Sequence, residues 1–275
     1  MTSYQFAMTF IAVSVALSAI MSVAWLVWRG TGNSGWVDTF WSFGLGAVGC
    51  AGALWPHVLR GHVSERAALV AVLVAFWSLR LGLHIARRTL NITDDPRYAK
   101  LLRDWGEEAH RQMFWLVQKQ ALVSIPLALS MILAARNPAP GFRVQDLLAL
   151  VVLAAGIAGE AIADSQLRRF RDAPADRGRL CDTGLWRWSR HPNYFFEWLG
   201  WIAYPLFAID FLGGYASDFP WGYAALAGPF CMYWLLVHVS GIPPLEAHML
   251  ERRRDEFRAY QARTSAFFPA PPRAM

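Results

Sequence analysis

Gln5-Phe-Ala-Met-Thr-Phe-Ile-Ala-Val-Ser-Val-Ala-Leu-Ser-Ala-Ile-Met-Ser-Val-Ala-Trp-Leu-Val-Trp28 contains no charged side chain. At about 1.5 Å of rise per helical residue, such a run outspans the roughly 30 Å hydrocarbon core of a bilayer. A secretory signal would need a positive leading segment and a shorter apolar core, and neither is present. The stretch therefore reads as a first membrane helix. The rest of the chain agrees. Of its 275 residues 55% are hydrophobic, 14 are Trp and only 17% are charged, which is too apolar for a soluble domain. Backbone polar groups inside lipid must be satisfied within a helix or a closed barrel. The fold class expected is all-α, a polytopic membrane helical bundle forming one domain over 1–275.

Outward from this run, further apolar stretches cover 36–55, 65–86, 120–135, 146–163, 193–209 and 221–239, giving about seven transmembrane helices. The second holds Gly44, Gly46, Gly49 and Gly52, small residues that suit close helix packing. Arg80 and His84 interrupt the third, and Pro126 predicts a kink in the fourth. Between them lie a polar connection at 87–119 with an amphipathic helix around 98–112, a turn at 137–141, and a charged loop at 164–190. A turn without basic residues at 210–220 and a polar tail from 246 to 275 complete the chain. Basic residues concentrate in 87–119, 164–190 and the tail. The positive-inside rule places these in the cytoplasm, with the N-terminus outside and the C-terminus inside.

The net charge of +6 suits contact with anionic membrane lipids or a phosphate-bearing cofactor. Without a basic helix or an RNA-binding motif, nucleic acid is not an expected partner. The three cysteines form no CxxC and the histidines no HExxH, so neither a disulfide framework nor a metal site is expected. GxGxxG, P-loop and GxSxG signatures are absent as well.

The densest chemistry lies in Gly184-Leu-Trp-Arg-Trp-Ser-Arg-His-Pro-Asn-Tyr-Phe-Phe-Glu-Trp-Leu-Gly-Trp201. Pro192 suits the first position of a helix, and Asn193 and Glu197, four apart, then share a face. An interfacial belt accounts for the tryptophans and for Arg190. It does not account for Asn193 and Glu197 facing one way, so these residues, with His191 and Tyr194, are site candidates. Upstream, the spacing of Asp164, Arg168 and Arg171 sets them on one helix face. Alone they fit a solvated face. Followed by Arg187 and Arg190, they suit a polyphosphate ligand, which guanidinium grips bidentately. Asp38 and Arg80 are the intramembrane charges of spans two and three.

These motifs resemble the C-terminal domain of the steroid 5-alpha-reductase family, and the whole chain is similar to its bacterial branch of polytopic membrane proteins. Val37-Asp38, Trp77-Ser-Leu-Arg80-Leu81 and Asp164-Ser-Gln-Leu167 carry the resemblance beyond the 184–201 stretch. So do Ser240-Gly-Ile-Pro-Pro-Leu-Glu246, Tyr260-Gln, Arg263-Thr-Ser and Phe268-Pro269. The resemblance implies a seven-helix bundle in a bacterial inner membrane, holding NADPH in a cytoplasm-facing cavity. Residues 1–135 would form the substrate side and 146–275 the cofactor half. It implies cofactor contacts for Asp164, Arg168, Arg171, Asn193 and Glu197, with Arg190, His191, Tyr194 and Glu246 in the same wall. The steroid enzymes carry a Gln-Glu pair in span two and a Tyr in span three, where this chain has Asp38-Thr39 and Trp77. A protonated Asp38 can donate a hydrogen bond, Arg80 can stabilise a developing enolate, and Trp77 can donate weakly. These three are the candidate catalytic residues.

The function implied is reduction of a C=C bond in a hydrophobic lipid substrate, whether steroid-, isoprenoid- or acyl-like, with no obligate protein partner. Isoprenylcysteine-type methyltransferases share the Arg-His-Pro-x-Tyr entry and a similar tail, so S-adenosylmethionine-dependent methyl transfer is the alternative. A non-catalytic lipid-binding protein is the third reading. The arginine distribution predicts that a reporter fused after the last residue is active only in the cytoplasm; activity outside would reverse the orientation.

Overall fold

The computed structural model describes every residue except 60, 92–93, 95, 175–178, 212–217 and 274–275, and leaves the side chains of 57, 96 and 97 undescribed. Parts of the expected 87–119 and 164–190 segments, and most of the expected turn at 210–220, lie outside the described residues. Among the described residues the fold is all-helical, with one isolated parallel bridge between Ser189 and Ser265. The long helices are α1 (Ser3–Thr31), α2 (Gly35–Val58), α3 (Glu65–Leu90), α5 (Ala109–Arg136) and α6 (Val144–Asp172). Shorter ones are α4 (Pro96–Trp105), α7 (Pro192–Trp201), α8 (Ala203–Ala208), α9 (Ala227–Trp234), α10 (Ile242–Arg252) and α11 (Arg254–Arg263).

Six helical segments among the described residues are long and apolar enough to cross a bilayer: Ser3–Thr31, Gly35–Pro56, Glu65–Leu90, Tyr98–Arg136, Val144–Asp172 and Pro220–Arg252. The chain is an integral, polytopic helical membrane protein. The seventh span expected at 193–209 is corrected. It is split into α7 and α8, of 10 and 6 residues. A proline at 205 removes a backbone donor and disfavours a helix running unbroken through the preceding turn, where α7 ends at Trp201. An odd number of crossings then needs this broken stretch to cross as well.

Other boundaries shift too. The loop expected from 164 is helical to Asp172, and the amphipathic segment is α4, a 3-10 turn at Gly106–Glu108 and the start of α5. The helix α5 continues through Pro126.

Two compact units divide the chain, one of Met1–Gln145 with Tyr204–Gly228, the other of Asp146–Ala203 with Pro229–Met275. In the first, α1 starts with a reciprocal Thr2–Gln5 capping box and ends on Gly32 in the left-handed region. The glycines of α2 are its packing surface. A Cβ on Gly44 would lie 2.5 Å from the Ile20 side chain of α1, one on Gly46 2.2 Å from the Ser78 Cβ of α3, and one on Gly52 2.3 Å from Ile132 Cδ1 of α5. Small residues thus let α2 approach three neighbours closely, the packing that replaces hydrophobic drive in a bilayer. The last carbonyls around α8 find donors in the same unit. Asn137 Nδ2 donates to Phe207 and Ala208, Arg143 to Phe207, and Gln145 to Leu206.

In the second unit the decisive approach is between α6 and α7. A Cβ on Gly156 would meet the backbone of Gly200 and Phe196 at 2.8 Å, and one on Gly159 would enter the Phe196 ring. Backbone cannot move aside as a side-chain tip can, so only glycine fits at 156.

Gly46→Val should destabilise the first unit by about 1–3 kcal/mol through overpacking. Gly30→Ala, with nothing within 4 Å of the added carbon, should be neutral or slightly stabilising. Thermal unfolding in one detergent compares them, and equal melting temperatures would refute the close α2–α3 contact.

Candidate functional site

In the second unit α7 begins at Pro192, with His191 as N-cap, as the sequence predicts. The segment before it is fixed onto α6. Gly184 takes φ 59°, a left-handed value that favours glycine. The Gln166 side chain accepts from Leu185 N at 2.9 Å, and the Trp186 indole donates to Ala163 O at 3.0 Å. With the Gly156 contact, this brings α6 and α7 into register. Asn193 Nδ2 donates to Asp164 Oδ1 at 3.2 Å, joining two residues 29 apart in sequence. One turn further on, Glu197 Oε1 accepts from Trp201 Nε1 at 2.9 Å. All four groups are half-buried or less exposed. Arg168 and Arg171 continue the α6 face as exposed side chains, with no hydrogen bond or ion pair among the described residues. The result is a half-buried face of two carboxylates and an amide, with two exposed guanidiniums further along α6.

Arg190, His191 and Glu246 do something different. Arg190 Nε and Nη2 grip the two Glu246 oxygens at 2.8 and 3.2 Å, His191 Nε2 lies 3.0 Å from Oε1, and Gln261 Nε2 donates to Oε2 at 2.7 Å. The remaining Arg190 nitrogen donates to Thr264 O. The Arg190 and Glu246 side chains are only 10% and 13% exposed. These groups hold one another, tying the entrance of α7 to α10 and α11. The His191 ring stacks on Tyr194 at 5.6 Å, nearly parallel. Around the clamp, Ser189 donates to Phe267 O, Arg190 N to Ser265 O, and Ala270 N to Trp188 O. Tyr260 donates to Trp186 O, and burial raises its phenol pKa, which keeps that proton in place. Burial likewise pushes the Cys181 thiol up, so it is a poor nucleophile.

In the first unit Asp38 stands in the first turn of α2. Its Oδ1 accepts from the hydroxyl of Tyr98 at 2.8 Å, and Gln120 Nε2 donates to the same hydroxyl at 2.9 Å. Tyr98 is 6% exposed. Trp77 is buried and meets Trp41 edge-on at 6.4 Å. The Trp41 indole donates to Ser124 Oγ, and Ser124 to Gln120 O. Arg80, three residues after Trp77 on α3, is half-buried. Sequence reading missed Tyr98 and Gln120. Tyr98 was visible only as the head of an amphipathic helix, and no local period links it to a carboxylate 60 residues away.

Residues 24–264 match a family model described as a protein of unknown function, DUF1295, and the chain belongs to that family. No curated protein and no solved structure matches it.

Arg190→Ala should cost about 3–5 kcal/mol, because it leaves the Glu246 carboxylate buried without its partner. Arg168→Ala and Arg171→Ala should change stability by no more than about 0.5 kcal/mol, as exposed substitutions do. Unfolding of the three variants separates the clamp from the exposed arginines; a stable Arg190→Ala protein would refute the clamp.

Proposed function

We propose that this member of the DUF1295 family is an NADPH-dependent reductase of a carbon–carbon double bond in a hydrophobic lipid, placed in a bacterial inner membrane. One observation carries the reading: the Asp164–Asn193 contact, with Glu197 one turn along α7 and the exposed Arg168 and Arg171 along α6. The chemistry of this donor set fits a dinucleotide phosphate. Carboxylates accept from ribose hydroxyls, an amide both donates and accepts, and guanidiniums pair with phosphate. When bound, NADPH supplies hydride.

The chain's own residues do the rest. Arg168 and Arg171 hold the phosphates by charge-assisted bonds of about 1.5–3 kcal/mol each. Asn193, held by Asp164, presents its remaining amide capacity, and Glu197, held by Trp201, stands one turn further along the same face. Reduction of a double bond also needs a proton. In the first unit Tyr98 Oη and Asp38 Oδ1 share one across 2.8 Å, while the Gln120 N–H occupies a lone pair of Tyr98. The buried hydroxyl can serve as general acid once its single proton turns from Asp38 to a substrate carbonyl, with Asp38 and Gln120 orienting the phenol. The apolar spans exclude water from the substrate.

The test is ligand binding to the purified full chain in detergent. NADPH should raise the melting temperature, because a ligand bound only to the native state stabilises it. Arg171→Ala and Glu197→Gln should weaken NADPH by about tenfold or more, about 1.4 kcal/mol. Tyr98→Phe and Asp38→Asn should bind NADPH as the wild type does and lose turnover of lipid. A shift with S-adenosylmethionine and none with NADPH would favour methyl transfer. Tight NADPH binding by both cofactor-face variants would refute the site.

A further inference from the structure

Gln120 reaches Tyr98 with one end of its amide and leaves the other end unanswered. Its Nε2 donates to the Tyr98 hydroxyl at 2.9 Å, while the buried Oε1 accepts no hydrogen bond among the described residues. The neighbours set the orientation of this amide. Tyr98 has one phenolic proton, and Asp38 Oδ1 accepts it at 2.8 Å. Reversing the amide would turn Oε1 toward an oxygen with no proton to give. Nε2 therefore faces the phenol and Oε1 is left for another donor.

The polar side chains around this pair do not supply that donor. The Trp41 indole donates to Ser124 Oγ at 2.7 Å, and Ser124 donates to the main-chain carbonyl of Gln120 at 2.6 Å. Thr39, next to Asp38, donates to Gly35 O, and Ser42, one turn beyond, donates to Asp38 O. A buried acceptor left without a donor costs free energy, so such a group in a folded protein calls for a partner. Amide geometry sets Oε1 about 2.2 Å from Nε2, hence within about 5 Å of the phenol oxygen. A substrate carbonyl that meets Tyr98 arrives beside this acceptor. The phenol proton and Oε1 together match a carbonyl with an O–H or N–H next to it.

We propose that Gln120 is a specificity determinant, its Oε1 accepting a hydrogen bond from an O–H or N–H beside the reacting carbonyl of the lipid substrate. The inference rests on the reading of Tyr98 as the acid that meets that carbonyl. It narrows the substrate class from any unsaturated lipid carbonyl to one flanked by a donor. A carbonyl without such a neighbour leaves Oε1 buried and unpaired, and a site built to pair a donor discriminates against analogues that lack it.

The full chain in a neutral detergent is titrated, without cofactor, with trans-α,β-dodecenamide and with the methyl ester of the same acyl chain, and binding is followed by thermal unfolding. The amide carries N–H groups beside its carbonyl and the ester carries none. The wild type should bind the amide at least about tenfold more tightly, about 1.4 kcal/mol. Gln120→Met keeps the length of the side chain without its polar atoms and should bind the two lipids alike. Gln120→Glu keeps an acceptor oxygen and should keep the preference. A preference that came from shape or from carbonyl strength would survive Gln120→Met. Should Gln120→Met fail to fold, the ranking in the wild type and in Gln120→Glu still decides. A wild type that does not prefer the amide, a preference undiminished in a folded Gln120→Met protein, or its loss in Gln120→Glu would overturn the proposal. With no NADPH present, none of these outcomes depends on the cofactor face, whose own failure shows separately as absent NADPH binding.

Discussion

The Arg190–Glu246 ion pair is the constraint on which the second unit depends. Two opposite charges, each mostly removed from solvent, are costly to bury, and only good geometry and further hydrogen bonds offset that cost. Here both conditions hold. The guanidinium meets both carboxylate oxygens, and His191 and Gln261 take up what remains. The chain segments that meet there are the entrance of α7, the first turns of α10 and the end of α11. Remove the pair and the direction in which α7 leaves the 184–191 segment is no longer defined, and with it the position of Asn193. The polar face is therefore supported by the groups of this clamp.

That support is backed by close packing. Gly156 lets α7 lie against the α6 backbone, and Asp164 and Asn193 sit two turns further along the same pair of helices. The aromatic side chains after Asn193 fill the other side of α7. Phe195 and Trp198 meet Phe267 and Phe268 of the tail at 5.6–6.1 Å, and Tyr233 of α9 closes the cluster. Edge-to-face rings of this kind each add about 0.5–1.5 kcal/mol beyond their buried area. The tail is thus part of the packed structure.

The first unit meets the problem of polar groups in an apolar bundle by another route. Its charged and hydroxylic side chains reach backbone carbonyls or each other along short chains, as in Ser78 to Ser42 O, Ser130 to Ala225 O, and Gln120 to Tyr98 to Asp38. Most such bonds hold helices together. The Tyr98–Asp38 bond, like the Arg143–Asp210 ion pair, joins two ionisable groups distant in sequence.

The sequence by itself determined the class of the protein. Runs without charge have only one economical conformation in lipid, so the helices, their approximate order and the glycine face of α2 could be read from composition and spacing. Pro192 and the four-residue spacing of Asn193 and Glu197 are local geometry, and they too were legible. Tertiary structure alone decided what is joined across distance. Nothing in the local pattern couples Asp164 to Asn193, Arg190 to Glu246, or Asp38 to Tyr98, since a side chain's partner depends on which helices pack and at what rotation. It also decided that 192–208 is not one helix. The apolar composition there is that of a span, and a proline in an apolar run does not by itself decide between a continuous and a broken helix, since α5 runs on through Pro126 while α7 stops at Trp201 before Pro205.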